Sequence, residues 1–161
     1  MLKKIALLCL LAGMAAAKPV TTRLFEVTAP DSWEDRQTPG ALYFLYPGKD
    51  TDDPESANVS INASNISGTM SMDSLTYMGK FQIEQAYPDM KLASSSPTKV
   101  GKLDGHRFEW RGMSKGKKSV IIQVFVMNGR QSYELKFIGS EVDYNSQRSS
   151  FDSLLRSFRP L

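Results

Sequence analysis

The sequence predicts an α+β fold in which an antiparallel β-sheet carries helices on both faces. The predicted elements run as strands, one helix, further strands and a final helix. Two segments, 41–46 and 119–127, are apolar at nearly every position, which is typical of strands that are covered on both sides. Each predicted helix has a single apolar stripe, so each is suited to cover one face of a sheet.

The first strands are predicted from a period of two. Apolar and polar residues alternate from Phe25 to Pro30 and, most strictly, from Ala57 to Ser64, the pattern of a half-buried strand. Pro30 ends the first of these strands because proline lacks the N–H that a sheet needs. Trp33 follows in a predicted turn, where we expect it to close one end of the core. Ala41 to Tyr46 forms a further strand.

The first helix is predicted to begin after Ser71, a favourable N-cap, with Asp73 placed to interact with the helix dipole. It ends before Pro88. Gly79 lies within it and costs about 1 kcal/mol relative to alanine. We interpret this glycine as a means of laying the helix close on a sheet. The predicted apolar stripe consists of Met72, Leu75, Gly79, Ile83 and Ala86.

The next stretch is less regular. Met90 to Val100 is predicted as a poorly defined extended segment that a proline interrupts, Leu103 to His106 as a turn, and Gly112 to Lys118 as a flexible hairpin loop. Between the last two lies a predicted strand, from which Phe108 and Trp110 project together.

The last elements carry the strongest apolar signal. Ser119 to Met127 is the most continuous apolar run and predicts a central strand, and Asn128-Gly129 predicts a type I′ hairpin turn. The chain returns in a strand with period two and closes in a helix. The apolar residues of these two elements are Tyr133, Leu135 and Phe137, then Tyr144, Phe151, Leu154, Leu155 and Phe158.

The order of these landmarks resembles a known family. The chain opens with Phe25-x-Val27-x-x-Pro30-x-x-Trp33, has Gly105 before a strand, and continues with Asn128-Gly129-x-x-x-Tyr133-x-Leu135. It closes with Phe151-x-x-Leu154-Leu155-x-Ser157-Phe158. This order resembles the PsbP-like superfamily, in particular its small exported DcrB-like bacterial proteins, over residues 24–158.

The resemblance implies a PsbP-like α/β/α sandwich formed by a single domain, 18–161. It also implies an accessory protein, because the family has no common catalytic motif. It supplies no site residues. DcrB-like proteins resemble lipoproteins, whereas the single cysteine of this chain, Cys9, lies inside a longer apolar run that continues after it.

The N-terminus has the pattern of a signal peptide. Lys3 and Lys4 precede an apolar core, and Ala15-Ala16-Ala17 offers the small residues of a cleavage site. Cleavage after Ala17 removes 17 of 161 residues and leaves 144, enough for one domain with its own core. The apolar core is shorter than the roughly 20 residues that span a bilayer. We therefore expect an exported protein, periplasmic or secreted, with no transmembrane segment after cleavage.

Charge and cysteine content exclude several classes. Loss of Lys3 and Lys4 lowers the Lys and Arg count from 20 to 18, against 17 Asp and Glu. Such a balance argues against nucleic acid as a partner, since nucleic-acid-binding domains carry a basic excess. Without Cys9 the mature chain has no disulfide, thiol nucleophile or zinc–thiolate site, and we predict no cofactor.

No catalytic or metal-binding set is evident. His106 is the only histidine; no Gly-x-Ser-x-Gly elbow accompanies it, and a surface turn residue is the plainer interpretation. Asp50 to Glu55 clusters hard oxygens suited to calcium, but Glu55 and Ile61 occupy the places where an EF-hand loop needs Gly and Glu. We therefore predict a solvated loop there and a protein that is not an enzyme.

Asn58, Asn62 and Asn65 each begin an Asn-x-Ser motif, which accepts glycans in eukaryotic secreted proteins. The short signal with its lysines is typical of bacteria. We therefore interpret these residues as polar side chains on the outer face of a strand and in its loop. If a helix covers that face, their amides need hydrogen-bonding partners.

Two sets of residues are candidates for binding a partner. Tyr77 and Phe81 lie opposite the apolar stripe of the first helix, and such a pair either marks a contact site or is covered by the chain near 90–97. Lys115, Lys117 and Lys118 form a basic loop suited to a weak peripheral contact with phospholipid headgroups or to an acidic partner. They serve equally well as gatekeepers beside the apolar strand that follows.

Three hypotheses about function follow. The first is a non-catalytic exported module that binds or stabilises another envelope or secreted protein. The second is a small-ligand or lipid-binding domain with a pocket between sheet and helix. The third is a hydrolase that uses carboxylates or His106.

Overall fold

The computed structural model describes residues 16–39, 41–45 and 58–161, and every strand pair within them is antiparallel. Two α-helices accompany the strands in these ranges, so the α+β class is confirmed. The elements in chain order are β1 (Ala17–Thr21), β2 (Phe25–Pro30), β3 (Glu34–Thr38), β4 (Ala41–Leu45), β5 (Asn58–Asn65), α1 (Met72–Ala86), β6 (Met90–Val100), β7 (Leu103–Ser114), β8 (Lys117–Asn128), β9 (Gln131–Ser140), α2 (Glu141–Ser157) and β10 (Arg159–Pro160).

The described strands form two sheets. The larger has seven strands in the order β3-β4-β5-β9-β8-β7-β6, and the smaller has three in the order β1-β2-β10. The interior position predicted for the apolar run 119–127 is confirmed, since β8 pairs with β7 and β9. Residues Val120 to Val126 are all buried, as a strand with neighbours on every side requires.

One group of buried residues, which we call the large core, joins α2 to the sheets. Phe151 and Leu154 of α2 belong to one cluster with Phe25 and Val27 of β2 and with alternate residues of β8. Trp33 is buried in the same cluster, as predicted. The residues that β8 contributes to it are Val120, Ile122, Val124 and Val126.

A second group, which we call the small core, joins α1 to the seven-stranded sheet. Ile83 packs with Phe108 and Trp110, whose common orientation is confirmed, and Met72, Leu75, Tyr87 and Ile138 border the cluster. From β8 the small core takes Ile121 and Phe125. Ala86 was expected in the apolar stripe of α1 but is exposed, because the helix ends there and Tyr87 occupies the place against the core.

α2 is fixed at its start and along its length. Ser140 and Asp143 form a capping box, with Asp143 N donating to Ser140 Oγ at 3.1 Å and Ser140 N donating to Asp143 Oδ2 at 3.1 Å. Arg107 of β7 donates to Asp152 at 3.0 Å and to the Tyr144 hydroxyl at 3.0 Å. These bonds join the helix to the sheet across more than thirty residues of sequence.

Several predicted turns were wrong in position. The predicted turn Leu103 to His106 is the beginning of β7, and the chain instead turns at Gly101 and Lys102, with φ +55° at Gly101. The predicted loop Gly112 to Lys118 shortens to Lys115-Gly116, where both residues have positive φ, as a type I′ turn requires.

The type I′ turn predicted at Asn128-Gly129 was also wrong. Asn128 pairs with Gln131 as the last residue of β8. The two-residue loop is therefore Gly129-Arg130, and of these only Gly129 has positive φ, the pattern of a type II′ turn.

The segment Met90 to Val100 is better ordered than predicted. It forms β6, a strand at the edge of the seven-stranded sheet, with one irregularity of register between Leu92 and Ser94. Pro97 is tolerated because an edge strand has one side without a pairing partner. The strands β1, β3 and β10 were not predicted at all.

Candidate functional site

The outer side of α1 carries the most exposed aromatic pair of the described residues. Tyr77 is 73% exposed and Phe81 54%, and Met78 between them is 49% exposed. The alternative in which the chain near 90–97 covers this pair is wrong, because that chain pairs along β7 as β6. We call Tyr77, Met78 and Phe81 the α1 patch.

The inner side of α1 approaches the sheet at Gly79. A Cβ at this position would overlap the ring of Phe125, so no larger residue fits here without a shift. The amide of Gln123, on the same strand, donates from Nε2 to the Gly79 carbonyl at 3.3 Å. The predicted role of Gly79, to lay the helix close on the sheet, is confirmed.

A groove of about 260 Å³ runs beside this contact, between α1 and strands β5, β8 and β9. One wall is largely apolar and comes from α1 and the segment before it. The other is largely polar and comes from the strands. The groove is lined by Ile66, Met70, Leu75, Met78, Gly79 and Gln82, and by Asn62, Ser64, Asn65, Phe125, Ser132, Tyr133 and Glu134.

Among the described lining residues of this groove, Glu134 is the one with an acidic or basic side-chain group of the Asp, Glu, His, Lys or Arg kind. Its Oε1 accepts a hydrogen bond from Gln123 Nε2 at 2.7 Å. Asn62 lies directly opposite Glu134 across the β5–β9 pair, a position where side chains of neighbouring strands come within contact range. A carboxyl group and an amide side chain therefore lie on neighbouring strands at the same side of the groove.

Two polar atoms beneath α1 are buried without a partner among the described residues, Trp110 Nε1 and Gln123 Oε1. Because Gln123 Nε2 is bound to Glu134 and Gly79, its Oε1 points elsewhere. Turning the amide over would break both bonds. Such an orphaned acceptor costs about 1–3 kcal/mol. This arrangement lowers the stability of the fold, but it holds the Glu134 carboxyl group in place.

In the large core, by contrast, the hydroxyl group of Tyr133 has hydrogen-bonding partners. The buried Tyr133 hydroxyl donates to the Leu24 carbonyl at 3.2 Å and lies 2.5 Å from Gln131 Oε1. Burial raises the pKa of this phenol above its ordinary value, because the phenolate form would lose its hydration. Tyr133 is thus a satisfied structural residue, although its edge borders the groove.

The basic residues at the β7–β8 hairpin are separate from the groove. Lys115 occupies the tip with φ 48°, and Lys117 and Lys118 follow at the exposed start of β8. Lys117 and Phe125 are eight residues apart on this strand, about 26 Å at roughly 3.3 Å per residue. The structure therefore does not bring the lysines to the groove.

The prediction that His106 is a surface turn residue is wrong. His106 is half-buried and lies within β7. Its Nε2 and Ser95 Oγ lie 2.8 Å apart, and its ring packs on Phe108 with centroids 4.8 Å apart. Asp104, the nearest acid in the sequence, pairs with Lys99 instead. A serine and a histidine thus meet across β6 and β7, but within the described residues no carboxylate orients the imidazole as in a catalytic triad.

The three asparagines of the Asn-x-Ser motifs lie on or beside one strand. Asn58 and Asn62 are half-buried in β5, whereas Asn65 at its end is exposed. Ser60 between them is buried. The predicted outer face is therefore more covered than expected, and Asn62 and Asn65 line the groove.

Two predicted features fall mostly or wholly outside the described residues. The loop Asp50 to Glu55 lies outside them, as does the predicted signal except for Ala16 and Ala17. Ala17 is the first residue of β1 and pairs with Pro30. Within the described ranges, no helix has the length and apolar character needed to cross a membrane, and no group of three or more His, Cys, Asp or Glu side chains is placed to hold a metal ion.

Comparison with known proteins places the fold. No family model matches the chain, and no curated protein matches it. Among solved structures, the cyanobacterial PsbP protein (CyanoP) of Synechocystis sp. PCC 6803 superposes with a TM-score of 0.66 at 16% identity, covering 95% of this chain and 97% of that one.

Two further structures are similar. LpqN, a protein involved in cell envelope biogenesis of Mycobacterium tuberculosis, has a TM-score of 0.68 at 12% identity, with 90% of each chain covered. Protein PA94 of Pseudomonas aeruginosa has a TM-score of 0.62 at 13% identity, covering 90% of this chain and 97% of that one. The chain has the PsbP-like fold.

Proposed function

We propose that this protein is an exported, non-catalytic accessory module that binds or stabilises another protein of the cell envelope through the α1 patch. The exposure of Tyr77 and Phe81 carries the proposal, because an apolar pair of this size on one helix face is typical of a contact surface. LpqN, which has a similar fold, is involved in cell envelope biogenesis, and this supports the proposed export to the cell envelope.

We also propose that α1 and α2 cover opposite faces of the seven-stranded sheet. Successive side chains of a strand point to opposite faces. From β8, the cluster that includes α2 takes Val120, Ile122, Val124 and Val126, and the cluster that includes α1 takes Ile121 and Phe125. This alternation supports a sandwich in which the α1 side faces a partner and the α2 side is structural.

Export requires that residues 1–17 act as a signal peptide, which we retain as a proposal. Cleavage after Ala17 would remove only the first residue of β1. It would keep the ion pair of Lys18 Nζ with Asp35 Oδ1 at 2.9 Å. N-terminal sequencing of the protein purified from cells tests this directly: we expect it to begin at Lys18, and an intact Met1 would contradict it.

The binding role is tested by the double variant Tyr77→Ser, Phe81→Ser. Its matched control is Val142→Ser on α2, because Val142 is an apolar residue that is also exposed, at 77%. After chemical crosslinking in intact cells, we expect the double variant to lose a partner that the parent and the control both retain. Recovery of the same partner by all three proteins would contradict the proposed surface.

The lysine hairpin is proposed as a weaker, auxiliary contact. Lys115, Lys117 and Lys118 each contribute at most about 1 kcal/mol near an anionic surface. Replacing all three by serine should reduce cosedimentation with anionic lipid vesicles at low salt and change nothing at high salt. If cosedimentation is the same for the parent and the triple variant and does not change with salt, this role is contradicted.

The groove beside α1 favours the second candidate, a ligand-binding domain. Its volume of about 260 Å³ is just below the roughly 300–1,000 Å³ that small-molecule sites occupy. Its polar wall suits a hydrogen-bonding group better than a lipid chain. This groove borders the α1 patch at Met78, which belongs to both.

A further inference from the structure

We infer that the groove receives a lysine side chain of the partner protein, with its ammonium group against Glu134 and its methylene stem along α1. The inference rests on the proposed function, because it names the chemistry of the protein that the α1 patch binds. Only Met78 is shared with that patch, and neither Tyr77 nor Phe81 lines the groove, so the two can be tested apart.

The charge of the groove selects a cation. Among the lining residues that the structure describes, Glu134 is the single Asp, Glu, His, Lys or Arg. Lys136 lies two residues along the same strand and forms no ion pair with Glu134 in the described part of the chain. Within the described residues, no basic neighbour is therefore bound to this carboxyl group. A ligand that brings a positive charge would form a charge-assisted hydrogen bond here.

The shape of the groove selects a lysine rather than a compact cation. The wall formed by Met70, Leu75 and Met78 offers apolar surface on which a chain of methylene groups can pack. The opposite wall offers oxygen acceptors from Asn62 and Ser64 beside the carboxylate. An ammonium group has three donors and no acceptor, so a wall with oxygen acceptors beside a carboxyl group suits it.

Gln123 prepares the carboxylate for this role. It is fully buried, and its Nε2 bonds to both Glu134 Oε1 and the carbonyl of Gly79. The same side chain therefore fixes the acid and the helix relative to each other. A carboxylate that is already held in position loses less conformational freedom when a ligand binds.

The neighbouring surface gives a partner access to the groove. Met78 lines the groove and is also half-exposed between Tyr77 and Phe81. A protein that packs on the α1 patch therefore lies at the edge of the groove. One lysine beside an apolar contact residue would reach Glu134 from that position.

The experiment is an NMR titration of the full chain with Nα-acetyl-lysine N-methylamide, using Nα-acetyl-norleucine N-methylamide as the uncharged probe of similar shape. We expect saturable amide shifts for the lysine probe near Asn62, Gly79 and Glu134, and none for norleucine. Glu134→Gln should weaken binding of the lysine probe about fivefold, the effect expected from the loss of one partly exposed ion pair. Asn62→Leu provides a second variant with the same expected direction.

The matched control is Glu84→Gln, which removes the same charge from α1 outside the groove, where Glu84 pairs with Lys80. It should leave the titration unchanged. Equal binding of both probes, no saturable shift with the lysine probe, or an equal loss in Glu84→Gln and Glu134→Gln would each overturn the inference. These results leave the crosslinking test of Tyr77 and Phe81 untouched, so failure of the groove and failure of the α1 patch are distinguishable.

Discussion

The two helices of this protein differ in how much of their surface is buried and in how they are capped. α2 buries Tyr144, Phe151, Leu154 and Leu155 and starts with a reciprocal capping box. α1 buries only Gly79 and Ile83 and has a single cap bond, from Ser74 N to the Ser71 hydroxyl at 3.1 Å. α2 is therefore fixed along its length, whereas α1 rests on the close contact at Gly79, on Ile83 and on side chains that are only partly buried.

The polar groups beneath the helices differ in the same way. In the large core the Tyr133 hydroxyl has its hydrogen bond, while in the small core Trp110 Nε1 and Gln123 Oε1 lack partners among the described residues. A buried polar atom without a partner is destabilising. The core that gives up stability is thus the one whose helix displays exposed aromatics and borders the groove with Glu134. We take this as the mark of a functional surface.

The largest expected effect separates the two cores. Phe151→Ala in α2 should cost about 3–5 kcal/mol, because the ring is fully buried and packs on Phe137 with centroids 6.0 Å apart. Ile83→Ala in α1 should cost less, about 2 kcal/mol, since a smaller side chain is removed from a smaller core. Urea unfolding monitored by circular dichroism measures both. Equal losses would contradict the difference between the helices.

The next effect concerns the close contact of α1. Gly79→Ala gains about 1 kcal/mol in helix propensity, but the new methyl overlaps Phe125, and such overpacking costs about 1–3 kcal/mol. We expect a net loss of about 1 kcal/mol. The control is Gly68→Ala, where a Cβ meets no atom within 4 Å. A stabilised Gly79→Ala protein would show that α1 moves away without cost.

The helix caps should differ by a smaller amount. Ser140→Ala removes a capping box and should cost about 1–2 kcal/mol, whereas Ser71→Ala removes one bond and should cost about 0.5–1 kcal/mol. The same unfolding measurement compares them. A larger loss at Ser71 would mean that α1, not α2, depends more on its start.

The smallest effect appears only at high pH. Because burial raises the pKa of Tyr133, the unfolded chain releases this proton at a lower pH than the folded chain. Stability from this group is therefore complete below about pH 10 and decreases as the pH rises further. Tyr133→Phe should make that decrease shallower, which urea unfolding at a series of pH values measures. Identical stability profiles for the parent and the variant would contradict it.

Local sequence signals were sufficient for much of the fold. Alternation found β2, β5 and β9, and the N-caps and stripes found both helices, because each of these elements carries its own apolar face. β3 could not be found this way. Its residues Glu34 to Thr38 are polar and mostly exposed, so only pairing with β4 makes it a strand.

Turn positions and the groove needed information from distant residues. The hairpin at Asn128 depends on the register with β9, which shifts the loop to Gly129 and Arg130. Asn62, Gln123 and Glu134 come from three strands, and only sheet order brings them together. One signal was present and missed: Gln123 is the single polar residue inside the apolar run from Val120 to Val126.

The central claim is that α1 binds the partner protein, whereas α2 supports the fold. A photoreactive amino acid placed in cells at position 81, and in a separate strain at position 142, tests it most directly because both side chains are exposed. We predict one reproducible envelope-protein adduct from position 81 and none from position 142. An absent adduct at 81, or the same adduct from both positions, would contradict the claim.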